Sequence, residues 1–292
     1  MRVMPWLILL ATLLLWAGNW VVARAVRAEI SPGLATAGRI FVVVGILAPF
    51  VWRSLFARLR ALGARDWKIL AVLGLSGGGL HLVIQWLAMH YTTATSATLY
   101  LSIAPVFILL LARPLLGERI HARQWAGVLV SFCGVAFIGT QGRFALAAFN
   151  VGDALTLVSM ILWACYTVFL RMRRDPLDTP EFLVVVCSFG LLWIAPWLAW
   201  EALHGVTLHL SRTGTIAMLY SAIGSFLLAY AGWSYVVRRL GAARAGTTMH
   251  LIPAFTVLMA RAYLDEWPQW YHGAGILLIL AGVALSSSAR RA

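Results

Sequence analysis

The sequence predicts an all-α integral membrane protein in which ten transmembrane helices form an inverted five-plus-five repeat around a central cavity. Three observations lead to this fold class. Hydrophobic residues make up 62% of the 292 residues and charged residues only 11%, whereas a soluble domain carries roughly 25% charge. Ten apolar runs are long enough to span a bilayer, which requires about 20 residues. Finally, residues 97–136 and 245–284 resemble each other in sequence.

The apolar runs are separated by short loops, so the predicted helices form a compact bundle. The spans are predicted at residues 5–26, 32–52, 67–90, 93–113, 122–140, 151–171, 180–203, 214–237, 242–264 and 269–288.

The distribution of basic residues predicts the orientation of the bundle. Ten spans place both termini on one side of the membrane. If that side is the cytoplasm, seventeen Lys and Arg residues lie inside, five lie outside and Arg39 lies within span 2. A cytoplasmic excess of basic residues is the usual pattern. We therefore expect a multi-pass protein of the bacterial inner membrane with both termini cytoplasmic.

The internal repeat divides the chain into two copies. At an offset of 148, fourteen of the forty positions in the two similar segments are identical. The copies are assigned to residues 1–140 (spans 1 to 5) and 151–292 (spans 6 to 10), which together form one transport domain. Because each copy has an odd number of spans, the copies insert in opposite orientations. They then enclose a cleft that can open to either side, as in secondary transporters.

Large aromatic and polar side chains near the middle of the spans indicate the wall of this cavity, because such groups are unfavourable in lipid. Trp16 and Trp163 are equivalent under the repeat, and each has a polar neighbour, Asn19 or Tyr166, three residues further along the same helix face. Helix packing is the alternative for a central tryptophan. The tryptophans at span ends are instead expected at the membrane interface. These are Trp6, Trp67, Trp125, Trp267 and Trp270.

Span 3 carries His81 and Gln85 on one helix face, and spans 4, 8 and 9 carry further aromatic and hydrogen-bonding groups at similar depth. A structural hydrogen bond is the alternative for His81. The predicted substrate-binding residues are Trp16, Asn19, Arg39, His81, Gln85, Tyr100, Trp163, Tyr166, Tyr230, Trp233 and His250.

Arg39 is the one charged residue deep inside a predicted span. A functional role would be to bind a carboxylate. The alternative is that the side chain extends to the nearer membrane surface or pairs with a loop carbonyl.

Two proline and two glutamate landmarks recur in both copies. Pro105 and Pro253 lie in the middle of spans, where proline frees a carbonyl and bends a helix. They are predicted hinges, with a simple packing kink as the alternative. Glu118 and Glu266 lie just beyond span ends and are expected to act as interfacial anchors or arginine partners.

Several functional classes are disfavoured. Although the net charge is +13, the basic residues flank apolar runs and do not form a nucleic-acid surface. Three cysteines inside apolar runs, Cys133, Cys165 and Cys187, are interpreted as small core residues, so no metal site and no cofactor is expected. All ten acidic residues lie in loops or at span ends. A proton antiporter for cationic drugs, which uses an embedded carboxylate, is therefore not expected.

The repeated motif resembles a known family. The first copy carries Ala-x7-Pro-x-Phe at 97–107 and Leu-Leu-Gly-Glu at 115–118, and the second carries Ala-x7-Pro-x-Phe at 245–255 and Tyr-Leu-Asp-Glu at 263–266. Two such copies on ten spans resemble the EamA domain of the drug/metabolite transporter superfamily, and most of all the YddG-type exporters of aromatic and neutral amino acids. The resemblance implies export of small metabolites by alternating access.

The expected partners are a small-molecule substrate, with amino acids favoured, and the lipid bilayer, and the protein is expected to function as a monomer. Aromatic walls with neutral hydrogen-bonding groups suit an uncharged or zwitterionic solute. A sugar-phosphate or nucleotide-sugar exchanger would require several cations in the cavity, and only Arg39 qualifies. An integral-membrane enzyme would require clustered His, Asp or Glu side chains at the midplane. Neither alternative is favoured, and no enzymatic activity is expected.

Overall fold

The computed structural model describes residues 4–117, 122–143, 150–240, 249 and 251–287. These residues are helical except for turns, loops and a single isolated bridge between Ile30 and Leu208. In chain order the helices are α1 (Met4–Ala25), α2 (Pro32–Leu59), α3 (Ala64–Leu73, Gly74–Gly79 and Leu80–Ala88), α4 (Ala94–Tyr100, Leu101–Ile103 and Ala104–Leu116), α5 (Ala122–Gly139), α6 (Val151–Met172), α7 (Thr179–His204), α8 (Arg212–Leu219, Tyr220–Leu228 and Ala229–Leu240), α9 (Leu251–Tyr263) and α10 (Trp270–Ser287).

By length and composition, six helices among the described residues can cross a membrane, so the chain is a multi-pass membrane protein. The six stretches are Met4–Ala25, Pro32–Leu59, Ala64–Ala88, Val151–Met172, Thr179–His204 and Arg212–Val236. Shorter apolar helices cover Trp125–Ile138, Leu251–Tyr263 and Trp270–Gly282. The all-helical membrane class is confirmed, while the arrangement as ten spans in an inverted repeat stays a prediction.

Local signals in the sequence account for several helix starts. Asn150 accepts a hydrogen bond from the Asp153 amide at 3.0 Å, and Asp153 accepts one from the Asn150 amide at 3.3 Å, which forms a reciprocal cap on α6. The Ser211 hydroxyl accepts from the Gly214 amide at 2.9 Å at the start of α8. The first amides of these helices therefore have local partners.

The start of α2 is capped from a distant part of the chain. The carboxylate of Glu201, near the end of α7, accepts hydrogen bonds from the Gly33 amide at 2.9 Å and the Leu34 amide at 3.2 Å. Trp197 donates its indole N–H to the same carboxylate at 2.8 Å. A buried helix N-terminus needs such acceptors. The contact therefore fastens α2 to α7.

The predicted landmarks near helix ends have different outcomes. Glu266 accepts hydrogen bonds from the first amides of α4 and lies 3.5 Å from the Arg24 guanidinium, which confirms it as an arginine partner. Glu118 lies outside the described residues.

Pro105 is the second residue of Ala104–Leu116, directly after a 3₁₀ turn, and Pro253 is the third residue of α9. Their role as hinges stays a prediction.

Two expectations about exposure differ in outcome. The five tryptophans predicted at the membrane interface are all exposed on the surface of the bundle. The interpretation of the three cysteines as core residues is wrong in part. Cys187 is buried, Cys165 is half-buried and Cys133 faces outward from α5. Because lipid is as apolar as a protein core, an apolar run does not reveal which face of a membrane helix is buried.

Candidate functional site

A central cavity lies between the helices and contains about 520 Å³ of space not occupied by atoms, part of it open to the surroundings. Its lining comes from α1, α2, α3, α4, α6, α8 and α9, so both halves of the chain contribute. The lining residues are Trp16, Asn19, Trp20, Arg39, His81, Leu82, Gln85, Leu101, Met160, Trp163, Ser225, Phe226, Tyr230, Met249 and Ile252.

The structure brings together seven of the residues that the sequence singled out. These are Trp16, Asn19, Arg39, His81, Gln85, Trp163 and Tyr230. Two more support the wall from behind, with Tyr166 stacked on Trp163 at a ring-centroid distance of 5.2 Å and Trp233 at 5.2 Å from Trp16. Tyr100 is buried in α4 near the Asp153 carboxylate and does not line the cavity. His250 lies outside the described residues.

Aromatic rings from both halves form one continuous wall. The Trp16 ring lies 5.6 Å from Trp163 and 6.0 Å from Tyr230, in both cases edge to face. Trp163 lies 5.9 Å from Tyr230 and 5.5 Å from the His81 ring. Edge-to-face and stacked pairs at these distances contribute attraction beyond simple burial. The wall therefore offers ring faces and edges to an apolar group.

Two π-helical segments hold this wall in position. The segments Gly74–Gly79 in α3 and Tyr220–Leu228 in α8 occupy corresponding places in the repeat. Tyr230 donates its hydroxyl to the Gly77 carbonyl at 3.4 Å, and Trp16 donates its indole N–H to the Ser225 carbonyl at 3.2 Å. Gly77 and Ser225 are 148 residues apart, so equivalent carbonyls accept from the two rings. π-helical turns are frequent at functional sites.

His81 is oriented by a contact to α6. Its Nδ1 lies 2.9 Å from the Ser159 carbonyl oxygen and 2.8 Å from the Ser159 hydroxyl. Because a carbonyl oxygen only accepts, we assign the proton to Nδ1. The other ring nitrogen, Nε2, is then an acceptor. The histidine therefore has a structural bond on one side and an acceptor that remains available on the other.

Arg39 is buried beside the cavity with neutral neighbours. Its side chain is 1% exposed, so the alternative in which it extends to the membrane surface is wrong. Its guanidinium donates to the Ser221 and Thr36 hydroxyls, each at 3.3 Å, and lies 4.9 Å from the Trp86 ring. The Arg39 Nε has no hydrogen-bond partner. Within the described ranges, no carboxylate pairs with this cation.

Sequence reasoning missed two groups of residues. The first consists of apolar lining residues such as Leu82, Met160 and Ile252, whose composition does not distinguish a cavity from lipid. The second consists of Ser221 and Ser225, which position Arg39 and Trp16. The repeat could have pointed to Ser225, because it is equivalent to a residue in the glycine-rich stretch of span 3.

In the part of the chain that the structure describes, no three His, Cys, Asp or Glu side chains converge to hold a metal ion. What the geometry offers is an aromatic wall, a buried guanidinium, an imidazole acceptor and the amides of Asn19 and Gln85. Such a set can bind a small amphipathic molecule.

Comparison with known sequences identifies relatives over the whole chain. The sequence model described as the EamA-like transporter family matches residues 4–140 and again residues 150–288. A protein of Archaeoglobus fulgidus described as an "Uncharacterized transporter" is 28% identical over 97% of this chain and 96% of its own length. A "Probable terminal-alkyne amino-acid exporter" of Streptantibioticus cattleyicolor is 30% identical over 76% of this chain and 73% of its own length.

Two further similarities are more distant. A "Probable amino-acid metabolite efflux pump" of Escherichia coli is 23% identical over 95% of this chain and 92% of its own length. A solved crystal structure superposes with a TM-score of 0.66 at 21% identity, covering 100% of this chain and 99% of the other. That structural likeness extends to the fold alone.

Proposed function

Because this chain belongs to the EamA-like transporter family, we propose that it exports small metabolites, namely aromatic or neutral amino acids, by alternating access. The observation that carries the proposal is the central cavity, whose aromatic wall is built from α1 of the first half and α6 and α8 of the second. Two of the relatives are named for amino-acid export or efflux, which agrees with this substrate class.

Alternating access by an inverted repeat is part of the proposal, with residues 1–140 and 151–292 as the two copies. The pattern of helix contacts supports it, since contacts recur when the halves are exchanged. The pair α1–α8 corresponds to α6–α3, and α1–α9 corresponds to α6–α4. The pairs α2–α7 and α5–α10 each join a helix to its own equivalent. The two separate family matches agree with the same division.

Close packing between the halves suits such a movement. In the contact between α5 and α10, a Cβ atom on Gly134 would lie 2.7 Å from the Gly275 carbonyl oxygen, and one on Gly275 would lie 3.0 Å from the Gly134 carbonyl oxygen. Small residues allow the two backbones to approach this closely, and we propose that α5 and α10 slide past each other at this contact. We propose that the carrier works as a monomer in the bacterial inner membrane, with both termini cytoplasmic.

We also propose that transport runs downhill along the substrate gradient. The buried carboxylates of Asp153, Glu181 and Glu201 lie near helix ends, where amide, hydroxyl or arginine donors satisfy them. None of these three lines the cavity. A carrier of this kind needs only two packings of similar free energy. If His81 or His250 instead carried a proton, a pH gradient would drive accumulation above equilibrium.

The test is counterflow of labelled phenylalanine, leucine and alanine into sealed liposomes that contain the purified protein, with and without a pH gradient. We expect exchange that equilibrates with the substrate gradient and is unchanged by the pH gradient. Protein-free liposomes provide the baseline. Absence of counterflow for every amino acid would contradict the proposed function, and accumulation driven by the pH gradient would contradict the downhill mechanism alone.

A tryptophan pair provides the matched variants. Trp163→Phe removes part of the cavity wall, and the loss of its ring contacts is expected to lower the counterflow rate about tenfold or more. Trp267→Phe changes an exposed tryptophan between α9 and α10 and is expected to leave the rate unchanged. Equal counterflow rates in the two variants would contradict the proposal that the aromatic wall contacts the substrate.

A further inference from the structure

The charge of Arg39 is not balanced by the protein around it. Its described hydrogen-bond partners are two neutral hydroxyls at 3.3 Å, which is long for a guanidinium donor, and its Nε has none. Removing an unpaired charge from water destabilises the folded protein even after its surroundings relax. Contact with the Trp86 ring offsets only a part of this destabilisation. An anion beside Arg39 would complete the arrangement.

The surrounding polar groups are arranged to receive that anion. The Ser221 hydroxyl donates its proton to the Asn19 side-chain oxygen at 2.6 Å, so the serine oxygen accepts from Arg39. With its oxygen occupied, Asn19 has an amino group left as a donor beside the cavity. Asn19 and Arg39 both line the cavity. The cavity therefore has two hydrogen-bond donors from different helices, the Arg39 guanidinium of α2 and the Asn19 amino group of α1.

The two halves of the chain differ in chemistry at equivalent positions, and only the first-half member of each pair below lines the cavity. Arg39 corresponds to Cys187 at an offset of 148, and Gln85 corresponds to Trp233 at the same offset. Asn19 corresponds to Tyr166 at an offset of 147. The first half thus supplies charge and amides where the second half supplies aromatic rings or a thiol. At these three pairs of positions, the groups that can bind an anion therefore come from the first half alone.

We propose that Arg39 binds the carboxylate of the transported molecule, whose apolar part lies against the rings of Trp16, Trp163 and Tyr230. The available Nε2 of His81 accepts from the ammonium group. The substrate class is then α-amino acids with a free carboxylate and an apolar side chain. Amides and amines of the same shape are excluded because they leave the guanidinium unpaired. This assignment rests on the proposed transport function and specifies the chemistry of its site.

The test is competition against labelled phenylalanine counterflow in liposomes by three analogues. These are phenylalaninamide, 2-phenylethylamine and 3-phenylpropionate, which vary the carboxylate and the ammonium separately. We expect 3-phenylpropionate to compete and the amide and amine to fail. Arg39→Gln is expected to lower phenylalanine counterflow about 10- to 100-fold, the range for a hydrogen bond to a charged group. Arg212→Gln, at the exposed start of α8, is the control and should behave as the parent.

The thermal unfolding temperature in detergent separates recognition from folding. Because Arg39→Gln removes an uncompensated buried charge, this temperature should stay equal or rise. Counterflow of the variant at the parental rate, or a fall in the unfolding temperature, would overturn the assignment. Equal competition by the amide and the acid in the parent protein would overturn it without any variant. Exchange of 3-phenylpropionate with no exchange of any amino acid would overturn the proposed function while supporting the Arg39 assignment.

Discussion

The two π-helical segments have the same place in the repeat but make different kinds of contact. In α3 the segment Gly74–Gly79 has four glycines, and in α8 the segment Tyr220–Leu228 carries tyrosine, serine and phenylalanine side chains. The α3 segment admits the backbone of α7, where a Cβ atom on Gly78 would lie 2.5 Å from the Val186 carbonyl oxygen. Its contact depends on the absence of side chains.

The α8 segment is fastened by its own side chains. Tyr220 donates its hydroxyl to the Leu15 carbonyl at 2.9 Å, and Ser221 donates to Asn19 at 2.6 Å. Both segments still provide an equivalent carbonyl to an aromatic ring of the cavity. The comparison therefore separates what the duplication kept, which is the backbone irregularity, from what diverged, which is the side chains around it.

The largest expected effect comes from adding one methyl group to the α3 segment, and the same change in the α8 segment is its matched control. Gly78→Ala would force α3 and α7 apart at a backbone oxygen that cannot rotate away, so we expect a loss of about 1–3 kcal/mol in the free energy of unfolding and loss of transport. In Gly224→Ala the nearest atom is a Leu15 methyl at 3.1 Å, which can move. We expect a change below about 1 kcal/mol there.

Thermal unfolding in detergent measures the stability of both glycine variants, and liposome counterflow measures their transport rate. Equal destabilisation by the two substitutions would show that the α3 segment is no more closely packed than the α8 segment, contrary to the comparison.

An intermediate effect is expected at the contact that the two π-helical segments share, which is a backbone carbonyl bonded to an aromatic ring of the cavity. Trp16→Phe removes the hydrogen bond to the Ser225 carbonyl and reduces contact with Trp163, Tyr230 and Trp233, so we expect about a tenfold or greater fall in counterflow. Tyr230→Phe keeps its ring and loses only the 3.4 Å bond to Gly77, so a smaller fall is expected. A larger fall for the tyrosine variant would reverse the ranking of the two carbonyl contacts.

The smallest effect on transport is expected from Tyr220→Phe. The substitution deletes one hydroxyl bond to the Leu15 carbonyl and leaves the ring in place, which is expected to lower the free energy of unfolding by about 0.5–1.5 kcal/mol with transport retained. Unfolding curves in detergent measure it, with Tyr235→Phe on the same helix as the matched control. No difference between the two tyrosine variants would show that the α8 segment does not depend on this side-chain bond.

The sequence predicted much of the site because physical chemistry restricts polar groups in a membrane. Asn19, His81 and Gln85 had few positions available other than a cavity or a protein contact, and the structure places them at the cavity. Trp163 was identified through its repeat equivalent, Trp16. For such residues, the position deep within a span and the equivalence under the sequence repeat independently predict a place at the cavity.

Other features have no local signal in the sequence. The glycines of span 3 do not predict a π-helical turn, because the π-helical segment of α8 has tyrosine, isoleucine, phenylalanine and leucine at most of its positions. Tyr100 is an aromatic, hydrogen-bonding residue of the kind expected in a cavity wall, yet within α4 it lies near Asp153. The Arg39–Ser221 contact joins residues 182 positions apart, and no pattern within either span predicts it. Tertiary arrangement, which periodicity does not encode, decides these cases.

The contact between the Glu201 carboxylate and the N-terminus of α2 also affects the order of events during synthesis of the protein. Glu201 follows Gly33 by 168 residues. At a synthesis rate of roughly 5–20 residues per second, about 10 to 30 seconds pass between the emergence of α2 and that of its acceptor. During this interval the first amides of α2 must stay among hydrated lipid headgroups, where water can accept from them. Completion of the first half of the protein therefore waits for translation of the second.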